Sequence, residues 1–232
     1  MLRVQYIDSF DLPELQPYRT MRRPVDQQRQ DIFVAESDKV VRRLLETNLT
    51  VISLLLPEKW LRLLEPQLQA RPEEITAYVG EKELLEKLTG FSMYQGVLAV
   101  AKIPAPASLE NILSTAPKPR LFAAVDGLSS AENLGVLVRN CVAFGVQALL
   151  VGETSSSPYL RRAVRSSMGT IFRLPVVETD NLARALRELS SQAIRCIAAH
   201  PHPEGKNLAQ ARFEGDYCIV FGSEGYGLSS GV

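Results

Sequence analysis

From Asp31 onward the chain alternates between two hydrophobic registers. Short apolar runs, "DIFVAE", "LTVISLLL", "ITAYVG" and "GVLAVAKI", have the length and β-branched content of strands. Between them, "SDKVVRRLLET" spaces Val40, Val41, Leu44 and Leu45 along one helical face, with Ser37 placed as an N-cap. "PEKWLRLLEPQL" opens a second helix with Pro57 near its first turn, and "EKELLEKLTG" continues the alternation. The pattern predicts a small α/β domain over residues 31–103. Residues 1–30 are polar and mixed, interrupted by Pro13, Pro17 and Pro24, and read as an N-terminal arm or short helical extension.

Residues 104–120, "PAPASLENILSTAPKPR" with its flanks, carry Pro104, Pro106, Pro117 and Pro119 around one short helical stretch, and read as a semi-rigid linker. The alternation then resumes over residues 121–232. "LFAAVDGL", "VQALLVG", "RCIAAH" and "DYCIVFGSEG" read as strands and "RLPVV" as a short extended piece. "SSAENLGVLVRNCVAFG" and "NLARALRELSSQ" read as helices, the first with Leu134, Leu137, Val138 and Cys141 in one apolar stripe and Gly145 as its stop. Repeated strand-helix-strand units with apolar strands predict a mostly parallel sheet covered by helices. Ligands of such sheets sit at the carboxyl ends of strands, which directs attention to the loops after Val125, Ala199 and Phe221.

Composition adds exclusions. At 232 residues, 46% hydrophobic and 22% charged, this is the make-up of an ordinary globular chain rather than a disordered one. Lys plus Arg and Asp plus Glu are equal at 26 each, so a nucleic-acid surface has to be local. The dense basic clusters are Arg19, Arg22, Arg23 and Arg29, and then Arg161, Arg162, Arg165 and Arg173. Cys141, Cys196 and Cys218 are widely separated within apolar stretches, as free thiols of a reducing cytoplasm would be. No signal core opens the sequence and no apolar run approaches bilayer length, which predicts a soluble cytoplasmic protein without membrane contact.

Several common signatures fail. No glycine run is followed by Lys and Ser or Thr as a Walker loop requires. A dinucleotide fingerprint built on Gly225 and Gly227 would need glycine at the position held by Ser230. A nucleophile elbow at Ser223 would need glycine where Phe221 stands. His200 and His202, on a proline-bent loop with no further histidine, make a poor metal site, so no metal is expected. What survives is a pair of loops at strand ends. In "DGLSSAENLGVLVRN", Asn133 falls close to a helix start, Gly135 permits close approach, and Arg139 lies outside the apolar stripe. In "FGSEGYGL", Gly222, Gly225 and Gly227 hold Glu224 within a turn.

Together and in this order, these loops resemble the SpoU/TrmH family of RNA ribose 2′-O-methyltransferases, in the SPOUT superfamily. Asn133, Gly135, Arg139 and the following "AFGV" match its first motif. Gly222, Glu224, Gly227 and Leu228 match its second, and "RRAVRSSMGTIFRLPV" is similar to the segment between them. "FVAESDKVVRRLLE", "VISLLLPE" and "YQGVLAVAK" resemble the family's small N-terminal RNA substrate-binding domain. The resemblance implies an α/β fold in which that domain, over 31–103, precedes an α/β-knot methyltransferase domain over 121–232. It also implies S-adenosylmethionine as methyl donor, tRNA or rRNA as substrate, and a homodimer with active sites at its interface.

The same resemblance implies site roles. Asn133, Arg139 and Glu224 are the catalytic candidates, with Arg139 gripping the adjacent phosphate and stabilising charge on the 2′-oxygen while Asn133 and Glu224 orient it. Gly222 and Gly225, and Ala199 at a neighbouring strand end, are the cofactor-side candidates; Arg161, Arg162 and Arg165 are candidates for RNA phosphate contact. The family's third motif, an apolar stretch and a Ser-Leu-Asn run opening a last helix, would follow Val232, so the resemblance implies a truncated chain with an incomplete knot. The rival readings are a catalytically inactive RNA-binding protein of the same ancestry and, were the motifs accidental, an ordinary doubly wound nucleotide-binding enzyme.

Overall fold

Two five-stranded sheets organise the chain, each the centre of its own folded unit. The computed structural model describes residues 1–23, 30–89, 96–199, 210 and 213–232. The first unit comprises Met1–Pro104 and Tyr159–Phe172, and the second Ala105–Pro158 and Arg173–Val232. The chain therefore passes between units at 104/105, 158/159 and 172/173.

The first sheet has the order β1-β4-β3-β5-β2, from β1 (Leu2–Tyr6), β2 (Ile32–Glu36), β3 (Val51–Leu56), β4 (Ile75–Val79) and β5 (Leu98–Lys102). β4 pairs in parallel with β1 and β3, whereas β5 runs antiparallel to β3 and β2. The arm read over residues 1–30 is corrected here: Leu2–Tyr6 is an edge strand, in register from Leu2 against Ile75 to Tyr6 against Val79. Its outward residues are exposed, so it lacks the apolar run that marks an inner strand. Leu15, Tyr18 and Met21, three residues apart, are buried, and the Tyr18 hydroxyl meets Ser53 Oγ at 2.8 Å. Pro13 and Pro17 do not interrupt this stripe because each sits in the first turn of a short helical element, where its missing N–H leaves nothing unpaired. That element ends in helix α1 (Gln16–Arg19). Helices α2 (Asp38–Leu45), α3 (Glu58–Gln69) and α4 (Lys82–Thr89) follow their expected segments. Ser37 occupies the N-cap of α2, though at φ 88° and without a side-chain capping bond.

The second sheet is wholly parallel, in the order β8-β7-β6-β10-β9. Its strands are β6 (Leu121–Val125), β7 (Ala148–Val151), β8 (Val176–Glu178), β9 (Arg195–Ala199) and β10 (Tyr217–Phe221). An ordinary doubly wound sheet would continue outward from its first strand to the fourth and then the fifth. Here the chain builds the outer β9 first and returns inward to lay β10 between β9 and β6, which removes the ordinary doubly wound alternative. The stretch read as a linker also belongs to this unit. Within it, α5 (Leu109–Thr115) is capped by Ser108 Oγ, which accepts the Asn111 N–H at 3.1 Å, and buries Ile112 among Phe122, Leu150 and Leu186. Helices α6 (Ala131–Ala143) and α8 (Leu182–Ser191) complete the unit.

The helix between them, α7 (Arg161–Ser166), belongs to the first unit. Phe33 of β2 packs against Tyr159 and Phe172 with ring centroids 5.8 and 5.4 Å apart. Arg43 donates to the Met168 carbonyl at 2.5 Å. Glu36, at the end of β2, accepts from Arg161 and, at 2.9 Å, from Arg165. The i,i+4 spacing of the two arginines puts both guanidinium groups on the helix face turned to that one carboxylate.

Candidate active site

β6 is the central strand of the parallel sheet, and β10 is its in-register neighbour from Tyr217 against Leu121 to Phe221 against Val125. Two segments about ninety residues apart in sequence therefore end side by side at the sheet's carboxyl edge. The backbone ladder continues one residue further, with Asp126 N–H donating to Phe221 O at 2.8 Å.

After β6 the chain turns at Gly127, φ +66°, and enters α6 through Ser130, whose Oγ accepts the Asn133 N–H at 3.2 Å. That cap fixes Asn133 in the first helical turn with its side chain exposed. Two serines of the loop after β7 support this entry. Ser155 Oγ accepts from Leu128 N–H at 3.3 Å and donates to Val125 O at 3.1 Å; Ser156 Oγ donates to Ser129 O at 2.5 Å.

After β10 the chain doubles back. Ser223 and Gly227 exchange two backbone hydrogen bonds, of 2.9 and 3.0 Å, closing the neck of a tight turn with Glu224, Gly225 and Tyr226 at its tip. Gly222 lies so close to the returning strand that a Cβ there would stand 2.3 Å from the Gly227 carbonyl carbon. Gly227 itself has φ +71°.

The two loops meet: Asn133 Nδ2 donates to Glu224 Oε1 at 2.6 Å. Of the three residues expected to act together, the structure joins these two. Arg139 stands six residues further along α6, about 9 Å along the axis and about 120° around it from Asn133 by ideal helix geometry. It is exposed and makes no hydrogen bond or ion pair with the described residues. Ala199 ends the edge strand β9 directly opposite Phe221 and is exposed, one strand away from the turn. Gly225 faces open space.

The three arginines expected on the RNA side fall in the first unit and differ from one another. Arg161 is the most enclosed of them: its side chain is 12% exposed and its guanidinium is held by Glu36, itself 8% exposed. Arg165 is 61% exposed despite sharing that carboxylate, and Arg162 is exposed. Arg29, His200 and His202 lie outside the described residues. Among the described residues no group of three or more His, Cys, Asp or Glu could hold a metal ion, and no helix is long and apolar enough to cross a membrane.

Sequence reasoning passed over Asp126, Ser155 and Ser156, which carry no motif of their own. The usable signal for Asp126 was an acidic residue at the end of a buried strand, where only a partnered carboxylate is tolerated. Burial pushes the Cys141 thiol up to about 11 and the Cys218 thiol higher still, so neither is a thiolate near neutral pH. Beside α6 the second unit also carries an open apolar groove of about 750 Å³, lined by Leu121, Ala123, Leu137, Phe144, Ile219 and Phe221.

Residues 120–232 match the SpoU rRNA Methylase family. Across 237 aligned residues, 99% of this chain and 80% of the relative, the sequence is 29% identical to an uncharacterized tRNA/rRNA methyltransferase of Mycobacterium tuberculosis. It is 31% identical over 170 residues to the 23S rRNA (guanosine-2′-O-)-methyltransferase RlmB of Xanthomonas campestris pv. campestris, covering 72% of this chain and 68% of the relative. The fold is similar to that of the AdoMet-bound rRNA methyltransferase from Sinorhizobium meliloti, with a TM-score of 0.80 and 18% identity over 97% of this chain and 84% of that one. A capped helix and a glycine turn joined across adjacent parallel strands are thus features of a chain that belongs to the SpoU rRNA methylase family.

Proposed function

We propose that this protein transfers a methyl group from S-adenosylmethionine to a ribose 2′-hydroxyl of ribosomal or transfer RNA. The observation that carries the reading is the 2.6 Å hydrogen bond joining Asn133 of the first loop to Glu224 of the second, which makes one site of two motif segments. The name of the Xanthomonas relative, a guanosine-2′-O-methyltransferase of 23S rRNA, supports the choice of ribose over base.

The donor's fit rests on the glycine turn. Gly225 is open to approach, and Gly222 and Gly227 let the backbone fold back without side chains of its own in the way. This chain's contribution to binding is therefore backbone N–H and C=O groups of residues 222–227 other than those paired in the Ser223–Gly227 bridge, with Ala199 at the adjoining strand end. When bound, S-adenosylmethionine would supply an electrophilic methyl on a sulfonium; transfer of that methyl to the 2′-oxygen would leave S-adenosylhomocysteine as the neutral thioether and pass the hydroxyl proton to solvent water.

The protein's task is to orient the hydroxyl and favour that proton loss. Arg139 stays protonated near neutral pH, so it acts as a cation: it grips the phosphate beside the target ribose and stabilises charge growing on the oxygen. The Asn133–Glu224 pair lines the RNA side and joins the tip of the turn to α6. On the first unit, exposed Arg162 and Arg165 contact phosphates, so RNA affinity falls with salt. The protein works in the cytoplasm as a homodimer; support for the second copy comes from Val136 on α6, 50% exposed, and from Phe144 at that helix's C-cap, 79% exposed and lining an apolar groove.

The test is transfer of labelled methyl from S-adenosylmethionine to rRNA and tRNA, with products mapped by resistance of the 2′-O-methylated linkage to alkali. Arg139→Ala, with its fold checked by circular dichroism, should lose at least about 100-fold in turnover. Wild-type turnover in that variant would remove Arg139 from the mechanism.

A further inference from the structure

Asp126 is the buried acidic residue at the carboxyl end of the central strand β6, with 6% of its surface exposed. Its Oδ2 accepts the backbone N–H of Ser229 at 2.6 Å, across 103 residues of sequence. Ser229 is the second residue after the neck of the glycine turn. From these contacts we infer that Asp126 is a positioning residue, a clasp that holds the leg leaving the turn and so sets where residues 222–228 lie for the methyl donor. The inference rests on the donor-binding reading of that turn.

Among the described residues, the other contacts of the turn do not hold that leg in this way. Its neck is closed by the Ser223–Gly227 bridge, which ties the turn only to itself. Its tip is joined to α6 through an exposed contact, Asn133–Glu224, open to competition from water. Leu228 packs against the apolar core of the unit, and such contact is non-directional, permitting the leg to slide along the surface it covers. The leg entering the turn is held to the central strand by the backbone bond from Asp126 N–H to Phe221 O; among the described residues the Asp126 carboxylate does the same for the leg leaving it, through a directional contact. It is charge-assisted and short, hence among the stronger hydrogen bonds available to a backbone amide. The strand below it cannot shift, because β6 is flanked on both sides by parallel neighbours. Its other carboxylate oxygen makes no further bond among the described residues, so the clasp is this single contact.

The experiment uses the full chain in four forms: wild type, Asp126→Ala, Asp126→Asn and Ser229→Pro. Affinity for S-adenosylmethionine is read by calorimetry, and hydrogen exchange of the 222–229 amides is read without ligand. Asp126→Ala and Ser229→Pro remove the acceptor and the donor respectively, and each should weaken binding by about 10-fold or more while speeding exchange in the turn. Asp126→Asn keeps an acceptor of the same shape without its charge and should lose clearly less affinity than Asp126→Ala. Should Asp126→Ala fail to fold, the contrast between Ser229→Pro and Asp126→Asn decides the matter. A variant lacking the clasp that melts earlier yet binds the donor as wild type does would overturn the positioning role. So would equal losses in Asp126→Asn and Asp126→Ala, since an acceptor kept at that position would then make no difference. Faster turn exchange in Asp126→Ala, with a wild type that binds no donor at all, would uphold the clasp and sink the functional reading instead.

Discussion

Replacing Gly222 by alanine tests whether the glycine turn has to close as it does. The new Cβ would lie 2.3 Å from the carbonyl carbon of Gly227, 2.5 Å from its oxygen and 2.6 Å from the Leu228 nitrogen. Ordinary contact begins near 3.5 Å, so backbone, not a flexible side-chain end, has to retreat by about 1 Å. Of these atoms Gly227 O accepts one of the two Ser223–Gly227 hydrogen bonds, and the N–H of the same residue makes the other, so its retreat strains both. Opening both, at roughly 0.5–1.5 kcal/mol net each, costs about 1–3 kcal/mol, which lowers the population of the closed turn by about 5- to 150-fold. S-adenosylmethionine affinity measured by calorimetry should fall by that factor. Gly225→Ala is the internal control, because nothing lies within 4 Å of its Cβ position and its φ is not in the left-handed range. It should melt within about 1 kcal/mol of wild type, so any affinity lost there reports contact between Gly225 and the donor itself. Wild-type donor affinity in Gly222→Ala would refute the reasoning, since it would mean that the turn binds as well open as closed.

Two further outcomes are expected in the first unit. Glu36→Gln leaves the Arg161 guanidinium buried without its counter-charge and should cost about 3–5 kcal/mol in urea unfolding, against at most about 1 kcal/mol for Arg165→Ala at the exposed arm of the same pair; equal losses would contradict the burial argument. At Glu73, burial pushes the carboxyl up, but hydrogen bonds from Arg71 and from the Val51 amide outweigh it and hold the group below its ordinary value of 4.5. A depressed folded-state value stabilises the fold above the ordinary one and is lost as pH falls through the folded one, so melts from pH 6 down to about 3 should drop less steeply in Glu73→Gln than in wild type.

The inner strands and main helices were legible because their signals are local: an apolar run, a 3.6-residue stripe, a serine one step before a helix. The place of Asn133 close to a helix start was legible in the same way, whereas the cap that Ser130 gives it is seen only in the structure. Its partnership with Glu224 was not derivable from spacing, because it depends on β10 returning inward to lie beside β6, a choice of strand order that no periodicity encodes. The edge strand Leu2–Tyr6 escaped because a strand with one exposed side and four exposed residues looks like polar coil, and the prolines hid the stripe of Leu15, Tyr18 and Met21 behind it. Arg161 and Arg165 looked alike in sequence. What separates them is how far each side chain is buried beside Glu36, 125 residues away from Arg161, and charge runs alone default to solvent.

The three passages of the chain between its units bear on how such a protein can be divided. Residues 1–104 produced alone would lack Tyr159–Phe172 and would present Phe33 and Glu36 to water without the rings and guanidinium groups that cover them. A graft of residues 105–232 onto a foreign binding module would carry a helix whose complementary wall had been left behind. The proline-rich stretch thus resembles a seam in composition but is no place to cut, and an exchange of either half is viable only when both sides of that borrowed segment travel together.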